Sequence, residues 1–277
     1  MKQYLLGINV LSGEGVPVIE QMEMIRGVGW DACFTGWEPE HTEAWANAAA
    51  RLGLVYQSIH SPFGGVARLW REGEEGRAET ERLIACVNDC ARFDIPVMVI
   101  HPFIGFRDHT PTPVGLENYA RVAEAADRAG VKLGFENVEG EEYLAALMER
   151  FWDAPCCGFC FDTGHEMCYN GGKDMLALYG EKLCHTHCND NLGVAADFEA
   201  AEPWYHDLHL TMGDGIVDWK GVMARIDATP YEGPLMCELT RADKPGRQTH
   251  AGYRALPLED FYAFALNRAR RMRAGTL

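Results

Sequence analysis

The chain has 277 residues, enough for one large barrel or two ordinary domains. An apolar fraction of 47% with 24% charged residues provides for a large core and excludes a disordered chain. Its 25 basic and 41 acidic residues leave a net charge of −16, which repels polyanions at long range and disfavours nucleic acid and anionic membrane as partners.

The first residues, MKQYLLGINVLSGEG, carry one Lys and a short apolar stretch broken by Gly7 and Asn9. No signal-peptide h-region or small-residue cleavage site is recognisable there, and no run approaches the length of a membrane span. A cytoplasmic protein is expected, with its ten cysteines reduced.

Strands are predicted at 4–10, 32–37, 55–60, 97–101, 132–137, 158–162, 183–187 and 235–239. Helical patterns lie between them at 16–28, 40–52, 77–93, 114–129, 141–150, 173–179, 218–227 and 258–272. PEHTEAWANAAARLG is typical, with Ala and Leu on one face and Gly53 as the expected C-cap. Eight strands alternating with eight helices predict an α/β fold, a single (β/α)8 TIM barrel forming one domain over 1–277. A doubly wound open sheet would usually have fewer strands, and no glycine-rich phosphate turn is recognisable. The longest connection without clear structure is 188–217, after the seventh strand, where a functional loop is expected. Cys157 and Cys160 form a C-x-x-C inside an apolar strand, where alternation sends them to different faces. Cys86 and Cys90, four apart on a helix, read as core.

The strand ends carry the chemistry. His60 ends the third strand, His101 the fourth, Glu136 the fifth, Asp162 the sixth, His187 the seventh and Glu238 the eighth. His165 follows Asp162 as D-x-x-H, and the long loop contributes Asp207 and His209 as D-x-H. In a barrel these residues gather at the C-terminal mouth, where barrel enzymes keep their active sites. One such residue is ordinarily a hydrogen-bonded structural group. Six consecutive strands ending in His, Asp or Glu instead predict a divalent-metal site, because burying that many without a cation is expensive. Either His185 or His187 fits the seventh strand; the later residue lies nearer the mouth. Cys184 and Cys188, on the other face, read as packing.

At IHSPF, VIHPF, GFENV, FDTGHE, HTHCND, DLHLTMGDGIVDW and MCEL the chain resembles the xylose-isomerase-like TIM-barrel superfamily, in the superfamily's order from about residue 55 to 240. That group includes sugar isomerases and epimerases, inosose dehydratases, hydroxypyruvate isomerases and metal-dependent AP endonucleases. The resemblance to its isomerases and epimerases implies one divalent ion on Glu136, Asp162, His187 and Glu238. It also implies proton transfer by Glu136 and Glu238, and a substrate hydroxyl bound by His165. The Arg that epimerases often carry a few residues beyond the seventh-strand His is replaced here by Asn191 and Leu192. Resemblance to the AP endonucleases implies instead three zinc ions on His60, His101, Glu136, Asp162, His165, His187, Asp207, His209 and Glu238.

A divalent ion that chelates two oxygens of a polyol polarises its carbonyl and stabilises an enediolate, while two carboxylates remove and return the proton. The expected activity is therefore a metal-dependent isomerase or epimerase acting on a sugar, sugar phosphate or polyol. A trinuclear-zinc phosphodiesterase and an inosose dehydratase-like lyase are the alternatives. Mixed His and carboxylate ligation suits Mn²⁺, Zn²⁺ or Co²⁺, and no organic cofactor is expected. His60, His101, His165, Asp207 and His209 bind substrate or additional metal in this reading. Trp37, Phe63, Phe103 and Trp204 either cover sugar C–H faces or pack within loops. After His60 the chain reads SPFGGVARLWREGEEGR, where Arg68 and Arg71 are soon followed by acidic residues, unlike a DNA-binding loop. Association into an oligomer is compatible with the sequence.

Overall fold

In the computed structural model, which describes residues 2–107, 109–194 and 203–277, every predicted strand and helix forms. The strands are β1 (Leu6–Asn9), β2 (Ala32–Gly36), β3 (Val55–His60), β4 (Val97–Ile100), β5 (Lys132–Glu136), β6 (Cys157–Asp162), β7 (Leu183–His187) and β8 (Leu235–Cys237). The long helices are α1 (Val18–Val28), α2 (Thr42–Leu52), α3 (Glu74–Arg92), α4 (Pro113–Ala129), α5 (Glu141–Phe151), α8 (Trp219–Asp227) and α10 (Leu258–Arg273). Shorter ones are α6 (Thr163–Cys168), α7 (Met175–Tyr179) and α9 (Ala251–Arg254), of which α6 and α9 have no counterpart in the sequence prediction.

All ladders are parallel, in the order β7-β6-β5-β4-β3-β2-β1-β8. Closure between β7 and β8 runs through the single parallel pair Cys188–Cys237, bonded from Cys188 N to Met236 O at 2.7 Å. The result is one (β/α)8 TIM barrel. The main apolar cluster lies between the strands and the helices, while small groups such as Ala32, Phe34 and Met236 fill the barrel interior. Gly7 lets the Met236 sulfur pack directly against the β1 backbone, where a Cβ would displace it.

Helix ends follow local chemistry. Gly53 takes the left-handed conformation at the end of α2, with φ 67°, as its position predicted. Helix α3 begins at Glu74, three residues earlier than expected, which places Glu74 and Glu75 in its first turn, where they complement the helix dipole. The acidic stretch after His60 is thus the start of a helix, preceded by a 3₁₀ turn at Val66–Trp70. Among the described residues no helix is long and apolar enough to cross a membrane. All ten cysteines are free thiols.

One irregularity matters for the site. Between β6 and β7 the register shifts after Phe159, so that Cys160 pairs with His185 and Asp162 with His187. Without that extra residue Asp162 would face Thr186, and both histidines would point out of the barrel.

Candidate metal centre

Asp162 ends β6 and caps the short helix that follows. Its Oδ1 accepts the backbone N–H of His165 at 2.7 Å, so the D-x-x-H spacing is one capped turn that returns an imidazole to the barrel mouth.

Glu136, fully buried at the end of β5, is the hub. Its Oε1 lies 2.9 Å from His187 Nδ1 and 3.3 Å from His165 Nδ1. Its Oε2 lies 3.4 Å from His60 Nε2 and 3.3 Å from His101 Nε2. Glu238, one residue beyond β8, places Oε2 3.3 Å from His187 Nδ1 and 3.5 Å from His209 Nδ1. Asp207 completes the ring, with Oδ2 3.0 Å from His209 Nε2 and 3.3 Å from His165 Nε2. His209 adopts φ 48°, an uncommon conformation for a residue with a Cβ, and such strain collects at functional sites. All nine residues singled out in the sequence therefore meet at the C-terminal mouth.

Burial alone would raise the Glu136 carboxyl, but the charge and hydrogen bond of His187 and the nearby imidazoles of His101 and His165 hold it well below the carboxylate range. Glu238 is lowered in the same way, against burial, by His187 and His209. Asp162 moves the other way: burial pushes it up to about 6. His187 and His209 resist the lowering effect of burial because of their carboxylate neighbours and are held at about 9.

Within the cluster Glu136 Oε2, His101 Nδ1, His165 Nδ1, His187 Nε2 and Asp207 Oδ1 are buried without a hydrogen-bond partner among the described residues. Unpaired buried polar atoms are costly, and a concentration of them on ligand-type side chains fits a bound cation. The donors fall into overlapping groups whose atoms lie within 4.8 Å of one another: His60, His101 and Glu136; Glu136, Asp162, His187 and Glu238; Asp162, His165 and His209. His185 belongs to none of these groups. It sits one layer deeper, Nε2 3.1 Å from Ser58 Oγ, and burial holds it well below the usual histidine range. Cys160 points inward and groups with Glu136 and His187, whereas Cys157 packs in the main core on the other side of the strand.

Above the cluster opens a cleft of about 470 Å³, reached by His60, His101, His165, Asp207, His209 and Glu238. Of the four candidate aromatic residues, Phe63 and Trp204 line it. The other two pack elsewhere: Trp37 donates from Nε1 to Asp89 at 2.8 Å, and Phe103 stacks on Tyr143 at 4.0 Å. A second cavity, of about 630 Å³, lies between Tyr4, Gly29 and Arg273 at the opposite end of the barrel and touches none of these groups.

The xylose isomerase-like TIM barrel family model matches residues 19–257. The chain belongs to that family. Among curated proteins it is 33% identical over 138 residues to the uncharacterised protein y4fM of Sinorhizobium fredii, covering 47% of this chain and 40% of that one. It is also 28% identical over 143 residues to the rhizopine catabolism protein MocC of Rhizobium meliloti, covering 47% and 42%. The chain thus spans less than half the length of either relative. Among solved structures, D-psicose 3-epimerase from Clostridium cellulolyticum H10, bound to D-tagatose, superposes with a TM-score of 0.73 at 13% identity over 97% of this chain and 99% of that one. At that identity the likeness establishes the fold.

This family member also holds its site with residues that the sequence did not single out. Asn137 and Asn189 bond to Asp162, and Tyr169 donates to Asp207 Oδ2 at 3.1 Å. A signal was present: both asparagines stand one or two residues beyond a strand-end ligand, where an apolar residue would otherwise be buried.

Proposed function

We propose that the chain is a divalent-metal-dependent isomerase or epimerase of a polyhydroxylated carbonyl compound, with Glu136 and Glu238 transferring the proton. The observation that carries this reading is the placement of these two carboxylates around His187 Nδ1, at 2.9 and 3.3 Å, with Glu238 lining the cleft and Glu136 buried below it. Glu136, Asp162, His187 and Glu238 would hold the principal ion, of the Mn²⁺, Zn²⁺ or Co²⁺ type. When bound, such an ion supplies Lewis-acid polarisation of a substrate carbonyl.

The remaining steps belong to side chains. Glu238 is the more accessible base, with 18% of its side chain exposed, and its lowered pKa keeps it ionised at neutral pH. It removes the proton from the carbon beside the carbonyl. Glu136 is enclosed by four imidazoles and works from beneath. His165, between Glu136 and Asp207, orients a substrate hydroxyl. Replacing Glu238 by Gln keeps an oxygen donor and removes the base. Solvent-deuterium exchange into a ketose substrate should then collapse, with metal retained; undiminished exchange would place the base elsewhere.

The three ligand groups favour a second reading, the trinuclear phosphodiesterase. Against it stand the net charge of −16 and the helical, acidic segment after His60. Metal analysis after dialysis, with incubation on abasic duplex DNA and on a panel of ketoses, separates the two. One tightly held ion and turnover of a ketose support the isomerase; three retained zincs with efficient incision overturn it.

A further inference from the structure

We propose that Lys244 forms an anion subsite in the cleft, so that the substrate is a polyol bearing a carboxylate or a phosphate ester. This rests on the proposed function only in taking the cleft above Glu238 as the place where substrate binds.

Lys244 lies in the loop after β8 and lines the cleft together with Phe63, Phe106, Trp204 and Glu238. Its Nζ stands 5.2 Å from the centroid of the Trp204 ring. Among the described residues no carboxylate lies within ion-pair distance of it, in a chain with 41 acidic and 25 basic residues. Its neighbours are differently placed. Asp243, the adjacent acid, accepts His250 N at 2.7 Å and pairs with Arg254 at 2.6 Å, while Arg241 pairs with Glu14 at 2.8 Å. The acids that share the cleft are also engaged: Glu139 accepts Gly105 N at 3.0 Å, and Asp207 and Glu238 face histidines. Among the described residues the ammonium thus has no carboxylate partner, and it stands on a partly apolar wall, where screening by water is reduced.

The position of this loop is fixed. Tyr205 donates its hydroxyl to Pro245 O at 2.7 Å, and Arg247 Nη1 donates to Tyr205 O at 2.7 Å. These bonds brace the loop against the segment that carries Trp204. A lysine whose backbone is tied down loses less freedom on meeting an anion than one on a loose loop. Trp204 and Phe63 would then lie along the C–H faces of the carbon chain, between the charged end and the metal centre.

The test is calorimetric titration of the metal-loaded full chain with glucitol, gluconate and glucitol 6-phosphate. Wild type, Lys244→Met and Lys244→Arg are compared at low and high salt. An anionic probe should bind wild type about tenfold more tightly than glucitol, an advantage that shrinks with salt. Lys244→Met should abolish the advantage and leave glucitol binding unchanged, and Lys244→Arg should restore most of it. Whichever anion gains more identifies carboxylate or phosphate. If glucitol binds only the metal-loaded protein and anions gain nothing, or keep their gain in Lys244→Met, the subsite is overturned and the proposed function stands. If no probe shows metal-dependent binding, both fall.

Discussion

The side-chain amide of Asn189 donates to Oδ2 of Asp162 at 2.7 Å, while Oδ1 of the same carboxylate takes the His165 N–H at 2.7 Å. Asn137 clamps the Asp162 backbone from both sides, accepting its N–H at 2.7 Å and donating to its carbonyl at 2.8 Å. Asp162 is therefore aimed before any cation arrives. Asn189→Ala should weaken metal affinity about 10- to 100-fold, as loss of an orienting partner typically does. Asp162→Ala should remove most bound metal with the barrel still folded. Competition against a fluorescent chelator measures both, and an Asn189→Ala affinity equal to wild type would deny the amide its orienting role.

Gly164 should be irreplaceable for a related reason. A Cβ there would overlap Asn189 Oδ1 and Asn191 Nδ2. Gly164→Ala is expected to cost about 1–3 kcal/mol of stability by overpacking, and to lower metal affinity alongside. Urea unfolding and the chelator assay on one preparation would show the two losses together. A loss of stability with full metal affinity would mean that the amides yield without disturbing Asp162.

Asp190 organises the loop that brings Asp207 and His209 to the site. Fully buried, it accepts from Asn191 N at 2.9 Å, Gly213 N at 2.8 Å, Val217 N at 3.0 Å and Trp219 Nε1 at 2.9 Å. Its backbone also pairs with Leu210. Asp190→Ala leaves those donors unsatisfied and should destabilise the fold by ~3 kcal/mol or more, since each unpaired buried group costs about 1–3 kcal/mol. Asp190→Asn retains one acceptor oxygen and should fall between the two in a denaturant titration.

The metal-free protein should lose stability as pH rises. His187 and His209 are raised to about 9 in the folded state, above the ordinary value of 6.5. A raised histidine contributes stability that is complete below its unfolded pKa and is lost through its folded pKa, so the decline runs from pH 6.5 to about 9. Metal binding opposes it, because ligands must shed protons to coordinate and affinity grows with pH. Thermal melts with chelator should therefore fall across this window, whereas melts with saturating Zn²⁺ should not. Parallel curves would show that these imidazoles do not bind the ion.

The elements of this barrel were legible in the sequence because their signals are local. Short apolar runs marked the strands, and a glycine at a left-handed position closed α2 at Gly53. That the candidate residues gather was legible for a topological reason: in a parallel barrel every strand delivers its C-terminal residue to the same mouth, so a list of strand ends is already a list of neighbours. Which neighbours touch was not legible. The register shift after Phe159 pairs His187 with Asp162 and leaves His185 a layer deeper against Ser58, and no local pattern encodes one extra residue between two strands. The same holds for Trp37, drawn away to Asp89, and for Lys244, delivered to the cleft by a loop pinned at Tyr205. Local patterns thus set the barrel and the ligand-type side chains that gather at its mouth. Register, loop path and the pairing of charges depend on contacts between residues far apart in the chain, and so emerge only once the barrel has closed.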